Sequence, residues 1–233
     1  MCGRFRQTRS QKQLEERFQA EGELDVAPRF NIAPTQPVLT VRQEINAPSR
    51  LLSSMRWGLI PSWAKDMSIG ITTVNARSET VTTTLSFSEA IRSRRCLIPA
   101  DGFYEWKKMG KVRQPYCFEV GDGELFALAG LWDEWKNPEG QIIQSCTVLT
   151  TTPNTLLADI HDRMPVIVSP ENYASWLNPK IEEFAAVREM LKPYDPSLMR
   201  SYPVSPKLNN VQNDDADSAA PITLELGTQA VLF

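Results

Sequence analysis

Residues 95 to 150 read RCLIPADGFYEWKKMGKVRQPYCFEVGDGELFALAGLWDEWKNPEGQIIQSCTVLT, and this stretch decides the fold class. Runs rich in β-branched and aromatic residues fall at 95–99, 102–107, 114–120, 125–131 and 142–150. Between them stand the turn formers Gly110-Lys111, Gly121-Asp122-Gly123 and Asn137-Pro138-Glu139-Gly140. Breaks this short let a chain fold back on itself, whereas parallel pairing needs a long crossover, so the pattern predicts antiparallel strands.

Working outward, residues 37–42, 51–57 and 70–75 also read as strands. Ser10 stands before Leu14 and Phe18 at helical spacing, predicting a short capped helix over 10–19. Helices are expected again at 170–177, after Ser169-Pro170, and at 180–191, where Ile181, Phe184, Ala185 and Leu191 give a one-sided face. The class is therefore α+β, with a mainly antiparallel, barrel-like sheet core surrounded by helices. Nothing in a length of 233 residues forces more than one domain. The organisation expected is a single domain over 1–213 and a C-terminal tail over 214–233, introduced by the polar patch Asn209–Ala220.

Composition narrows the classes. Hydrophobic residues make up 42% and charged residues 23%, the usage of an ordinary globular chain rather than a disordered or fibrous one. No apolar stretch is long enough to cross a bilayer, and the basic, polar N-terminus is unlike a secretion signal, so the reading places the chain in the cytoplasm with no membrane partner. Cys2, Cys96, Cys117 and Cys146 are scattered, and with one histidine they make neither a zinc site nor a disulfide framework. No glycine-rich phosphate loop is present either, and no metal or cofactor is expected. The net charge of −3 hides a split: residues 1–113 carry +7 and residues 114–233 carry −10. Such asymmetry is a reason to suspect an anionic ligand, although a surface mixing both signs is the plainer account.

The N-terminus carries the chemistry. A small residue at position 2 allows removal of Met1, which would leave Cys2 with an α-amine of pKa near ~8 and a thiol near ~8.5, both partly nucleophilic at neutral pH. An aldehyde is the natural partner. The amine forms an imine and the tethered thiol closes a five-membered thiazolidine, a step favoured by effective molarity. The plainer reading is that Cys2 is a small buried hydrophobe.

Six motifs follow in order: Met1-Cys2-Gly3-Arg4-Phe5, Arg29-Phe30-Asn31-Ile32-Ala33-Pro34, Trp57-Gly58-Leu59-Ile60-Pro61-Ser62-Trp63, Asn75-Ala76-Arg77-Ser78-Glu79-Thr80, Asp101-Gly102-Phe103-Tyr104-Glu105-Trp106 and Ile160-His161-Asp162-Arg163-Met164-Pro165. Together they resemble the SOS response-associated peptidase family, whose members shield abasic sites, over residues 1 to about 213. The resemblance implies that Cys2 crosslinks to an abasic site in single-stranded DNA, with Asn75, Glu105 and His161 around it and with lyase and self-processing activity as further expectations. Glu105 would exchange protons during dehydration, His161 would protonate the sugar ring oxygen or relay protons for the reverse reaction, and Asn75 would orient the amine or a sugar oxygen. Arg4, Arg77 and Arg163 are candidate phosphate contacts, and Pro34, Trp63 and Trp106 candidate surfaces for stacking. Ala64 stands where some members of the family carry a second aromatic. Structural roles are the alternative throughout: a solvated glutamate, a satisfied histidine, a turn-capping asparagine, tryptophans in the core.

The tail ends Gln229-Ala230-Val231-Leu232-Phe233. It is similar to peptides that dock on the replication sliding clamp through a glutamine and a terminal Leu-Phe pair, making Gln229, Leu232 and Phe233 candidate clamp contacts, with a final edge strand as the other reading. A monomer at the nucleoid or replication fork is expected. Two further functions use the same residues: a cysteine peptidase in which His161 is the base for Cys2, and a non-catalytic single-strand binder.

Overall fold

The computed structural model describes residues 2–224. Two sheets organise it. The first has five strands, all antiparallel, in the order Met199–Pro203, Val112–Val120, Gly102–Met109, Phe5–Gln7, Arg29–Ile32. The second runs Met164–Pro165, Ile142–Thr151, Phe126–Lys136, Arg95–Ala100, Pro37–Arg42, Arg50–Trp57, Ala20–Glu21. It also closes on itself, because Ile142–Thr151 pairs in parallel with Arg50–Trp57 through Ser145↔Arg56 and Cys146↔Trp57. Five strands thus form a barrel with a single parallel seam, and the α+β, barrel-like expectation is met.

Two of the three turn signals make hairpins, at 110–111 and 137–140. Gly110, at φ +61, opens a two-residue turn that needs a left-handed first position. The third, Gly121–Gly123, does not return the chain to its neighbour. It carries the chain into the other sheet, where Phe126–Lys136 pairs with Arg95–Ala100 and Ile142–Thr151.

Two expected elements are corrected. Residues 70–75 are not a strand: Met67–Ile71 is a 3-10 turn capped by Asp66, and pairing begins only at Asn75–Arg77, which runs parallel to Val148–Thr150. Close packing explains this, since a side chain at Gly58 would strike the Gly70 carbonyl oxygen at 2.2 Å, a contact only two glycines permit. The helix expected over 180–191 shrinks to Phe184–Arg188, because the Asn178 side chain accepts from the Lys180 N–H and draws that backbone into a turn. The helix at Gln11–Phe18 stands as read: Ser10 and Gln13 form a reciprocal capping box, and Leu14 and Phe18 enter the core.

The apolar interior falls into two main clusters, one around Trp176, Phe18 and Leu97, the other around Phe5, Trp57, Phe103 and Cys2. Beyond Pro203 the chain stays bonded to the body. Asp214 accepts from the Phe30 and Asn31 N–H groups and pairs with Arg29, and the Ile222 N–H donates to Pro203. Among the described residues no helix is long and apolar enough to cross a membrane, and no acidic, His or Cys group is arranged to hold a metal.

Candidate active site

The short strand Phe5–Gln7 lies against Gly102–Met109 with Phe5 opposite Phe103 and Arg6 opposite Gly102, and the Tyr104 N–H donates to the Arg4 carbonyl at 2.9 Å. Carried on, this antiparallel register brings Glu105 opposite Gly3, next to Cys2. Cys2 is buried completely. Burial raises its thiol pKa far above the usual range, the nearby Glu105 carboxyl raises it further, and a hydrogen bond from the Arg4 backbone offsets this in part.

Asn75 comes from the barrel. Its Nδ2 donates to the Cys2 carbonyl at 2.8 Å, across 73 residues of sequence. Its Oδ1 is buried with no hydrogen-bond partner among the described residues. A buried acceptor left in that state is costly, and it belongs to the same amide whose Nδ2 holds the Cys2 carbonyl.

Glu105 is 3% exposed, and burial pushes its carboxyl pKa up to about 8, with Asp162 adding repulsion. His161 Nε2 lies 4.0 Å from the carboxylate. The other ring nitrogen, Nδ1, accepts the Arg163 N–H at 3.0 Å, which places the proton of the neutral ring on Nε2, facing Glu105. The exposed Asp162 carboxylate, 3.0 Å from Nδ1, favours the imidazolium, but burial wins and the His161 pKa falls below its usual value. At neutral pH the pair is therefore a protonated acid beside a neutral imidazole.

The candidate DNA contacts divide. Arg77 is exposed, two residues from Asn75 on the same strand, and makes no ion pair among the described residues. Trp63 is 51% exposed. Its loop is fastened at several points: Gly58 N–H to Cys146 O, Ile60 N–H to Ser145 Oγ, Ser62 N–H to Asp133, and Trp135 Nε1 to the carbonyl of Ala64. Half-buried Pro34 precedes Thr35, whose N–H bonds the Trp57 carbonyl at the root of the same loop. Arg4 instead lies over the Trp106 ring, 5.5 Å from its centroid, and donates to Asn31 Oδ1 at 2.7 Å and to the Leu208 carbonyl at 3.1 Å. Trp106 in turn donates to Asn209 Oδ1. Arg163 is 8% exposed and faces inward, bidentate to Glu79 at 2.7 and 2.9 Å and bonded to the Thr150 carbonyl.

Two residues gain roles that the sequence reading did not assign. Asn31 joins Arg4 to the segment 208–213, donating to the carbonyls of Leu208, Asn210 and Asn213. Glu79 holds Arg163, whose N–H orients His161. Both lie inside motifs quoted above, so the signal was position within a motif. Their partners Arg4 and Arg163 lie in other quoted motifs, but nothing along the chain told which motif would pair with which.

The model of the SOS response associated peptidase family matches residues 1–211. Among relatives, the chain is 42% identical over 221 residues to the abasic site processing protein YoqW of Bacillus subtilis, covering 93% of this chain and 98% of that one. It is 32% identical to the abasic site processing protein HMCES of Rattus norvegicus, covering 84% of this chain and 66% of the other. A solved structure from Bacteroides thetaiotaomicron superposes with a TM-score of 0.87 at 25% identity, covering 95% of this chain and all of that one.

Proposed function

The chain belongs to the SOS response-associated peptidase family, and from that premise we propose that it processes abasic sites in single-stranded DNA by bonding Cys2 covalently to the lesion. The observation that carries the reading is the hold on Cys2: Asn75 grips its carbonyl with Nδ2 and keeps a buried, unpartnered oxygen on the same amide, while Glu105 lies alongside.

Removal of Met1 frees the α-amine, for which Asn75 Oδ1 is a ready acceptor. The amine adds to the deoxyribose aldehyde to give a carbinolamine, and loss of water gives an imine. The thiol then adds across the carbon–nitrogen double bond, its proton ending on nitrogen, and a thiazolidine results with one water released and no change of oxidation state. Glu105, protonated up to about pH 8, supplies the proton that the departing hydroxyl needs. Its conjugate base then accepts a proton from the thiol, which burial keeps neutral in the ground state. His161, neutral with its proton on Nε2, serves as a hydrogen-bond donor to Glu105 or to the sugar oxygen rather than as a source of imidazolium protons. The same tautomer weighs against the peptidase reading, because the lone pair that would draw the Cys2 proton already accepts the Arg163 N–H.

The test is incubation of the purified protein with a strand bearing one abasic site, without borohydride, followed by denaturing separation and intact mass measurement. The expected product is a heat-stable adduct of protein lacking Met1 plus strand, less one water. Adduct that survives Cys2→Ala, or a mature protein that keeps Met1, overturns the proposal. Gln229, Leu232 and Phe233 lie outside the described residues. Their docking on a sliding clamp belongs to the same proposal, and a peptide of residues 225–233 that fails to bind the clamp removes it.

A further inference from the structure

The hairpin that carries Glu105 continues past the site into a cationic tip. Between Glu105 and Glu119 the chain holds Lys107, Lys108, Lys111 and Arg113 and no acidic residue, within a protein whose net charge is −3. Lys108, Lys111 and Arg113 are exposed and Lys107 half-buried, and none makes an ion pair or a side-chain hydrogen bond among the described residues. The pairing register places Lys108 directly opposite Arg113. Like charges facing each other across a ladder work against the hairpin, and a bound anion relieves that repulsion. Met109 and Val112, opposite each other at the end, are 48% and 58% exposed, so the tip does not pack on the body.

Geometry ties this tip to the site. Side chains alternate along a strand, so Lys107 lies on the same face as Glu105, about 7 Å further on, Lys108 and the facing Arg113 stand on the other face of the hairpin, and the turn that joins the two faces lies about 17 Å away. That span matches several successive phosphates of a strand threaded through the site. We propose that this tip is a second contact for the DNA, in which Lys107, Lys108, Lys111 and Arg113 bind phosphates of the single strand flanking the lesion. The proposal rests on the abasic-strand reading of Cys2. It extends the interface beyond Arg77 and Trp63 to a part of the strand that undergoes no chemistry.

The combined variant Lys108→Gln/Lys111→Gln/Arg113→Gln tests it, with two readouts. One is affinity for an intact 20-nucleotide strand between 50 and 200 mM salt, measured by fluorescence anisotropy. Each phosphate contact on a single strand contributes about 0.7 to the slope of log affinity on log salt, so losing three lowers the slope by about 2, and the unaltered protein loses about 20-fold more affinity than the variant across that range. The other is the rate of adduct formation with a trinucleotide centred on the abasic site, which the variant leaves unchanged. An unchanged slope overturns the proposal. So does an equal loss with the trinucleotide, which would mean the tip acts on the site itself, or an equal loss of affinity for polyglutamate, which would make the tip a general polyanion patch. Arg113→Gln alone relieves the repulsion with Lys108 and should fold at least as well, with a slope smaller by about 0.7. If the unaltered protein makes no adduct with either substrate, the reading of Cys2 fails while the anisotropy still decides the role of the tip.

Discussion

Glu105 and Glu119 lie on adjoining strands of the same antiparallel sheet, 3% and 2% exposed, and their environments drive them in opposite directions. Burial raises the pKa of both. At Glu119 it is outweighed by the Tyr202 hydroxyl at 2.6 Å, by Arg200 at 2.6 Å and by Arg6, and the pKa falls below the ordinary value. Arg6 also pairs with Asp101 at 2.8 Å, and Asp101 accepts from Thr8, so this side of the sheet is a closed network in which each charge meets its opposite. Glu105 instead faces a neutral imidazole and the repulsion of Asp162, and burial prevails. Depth alone does not make a carboxylate reactive; what it is paired with decides whether it is a strut or an acid.

The comparison yields an ordered set of tests. Glu105→Gln should slow adduct formation by about 10²–10⁴-fold, the usual contribution of a general acid, measured under single-turnover conditions; a rate within threefold of the unaltered protein would remove Glu105 from the chemistry. The same change should stabilise the fold at high pH. Because the Glu105 pKa is raised in the folded state, folding binds a proton between about pH 4.5 and 8, and its contribution to stability is lost as pH rises through that window. The gain from Glu105→Gln, absent at pH 4, should grow to a few kcal/mol above pH 8, as read from denaturant midpoints.

Glu119→Gln should do the reverse, costing about 3 kcal/mol at pH 7 by leaving Arg6 and Arg200 without their carboxylate. Its own contribution is present above the unfolded carboxylate pKa and lost as pH falls through the lowered folded value, so the difference between variant and parent should narrow under acid. Adduct formation by the folded fraction should not change. Tyr202→Phe removes one hydrogen bond to Glu119 and should cost about 1 kcal/mol, with a small upward shift of the acid midpoint. A Glu119→Gln protein that is fully stable but cannot form adduct would break the contrast, since the network would then be serving the site directly.

The sequence and the fold contributed unequally to the site. Strand positions from 95 to 150 were legible because side chains alternate with a period of two and glycine-rich breaks end each run, which are local properties. The same reasoning misread 70–75, where the β-branched residues Ile71 to Val74 end and follow a 3-10 turn at Met67–Ile71 that packs closely on Gly58 through Gly70. For Arg4 and Arg163, candidates for phosphate contact, it gave no sign of the partners that the structure shows at their guanidinium groups: Trp106 and Asn31 for the first and Glu79 for the second. An arginine's partner is a tertiary fact, and no spacing along the chain encodes it.

By itself, the sequence determined the α+β class, the antiparallel hairpins, and an aminothiol-capable residue at position 2 followed by motifs of one family. Only the tertiary structure decided that the barrel closes through the parallel pairing of Ser145 with Arg56, and that Asn75, on a strand along the same barrel wall, reaches Cys2. It also decided the burial that raises the pKa of Glu105. The physical reason is range: periodicity and turn chemistry act over a few residues, whereas desolvation and pairing depend on which distant segments the fold brings within a few ångströms of each other.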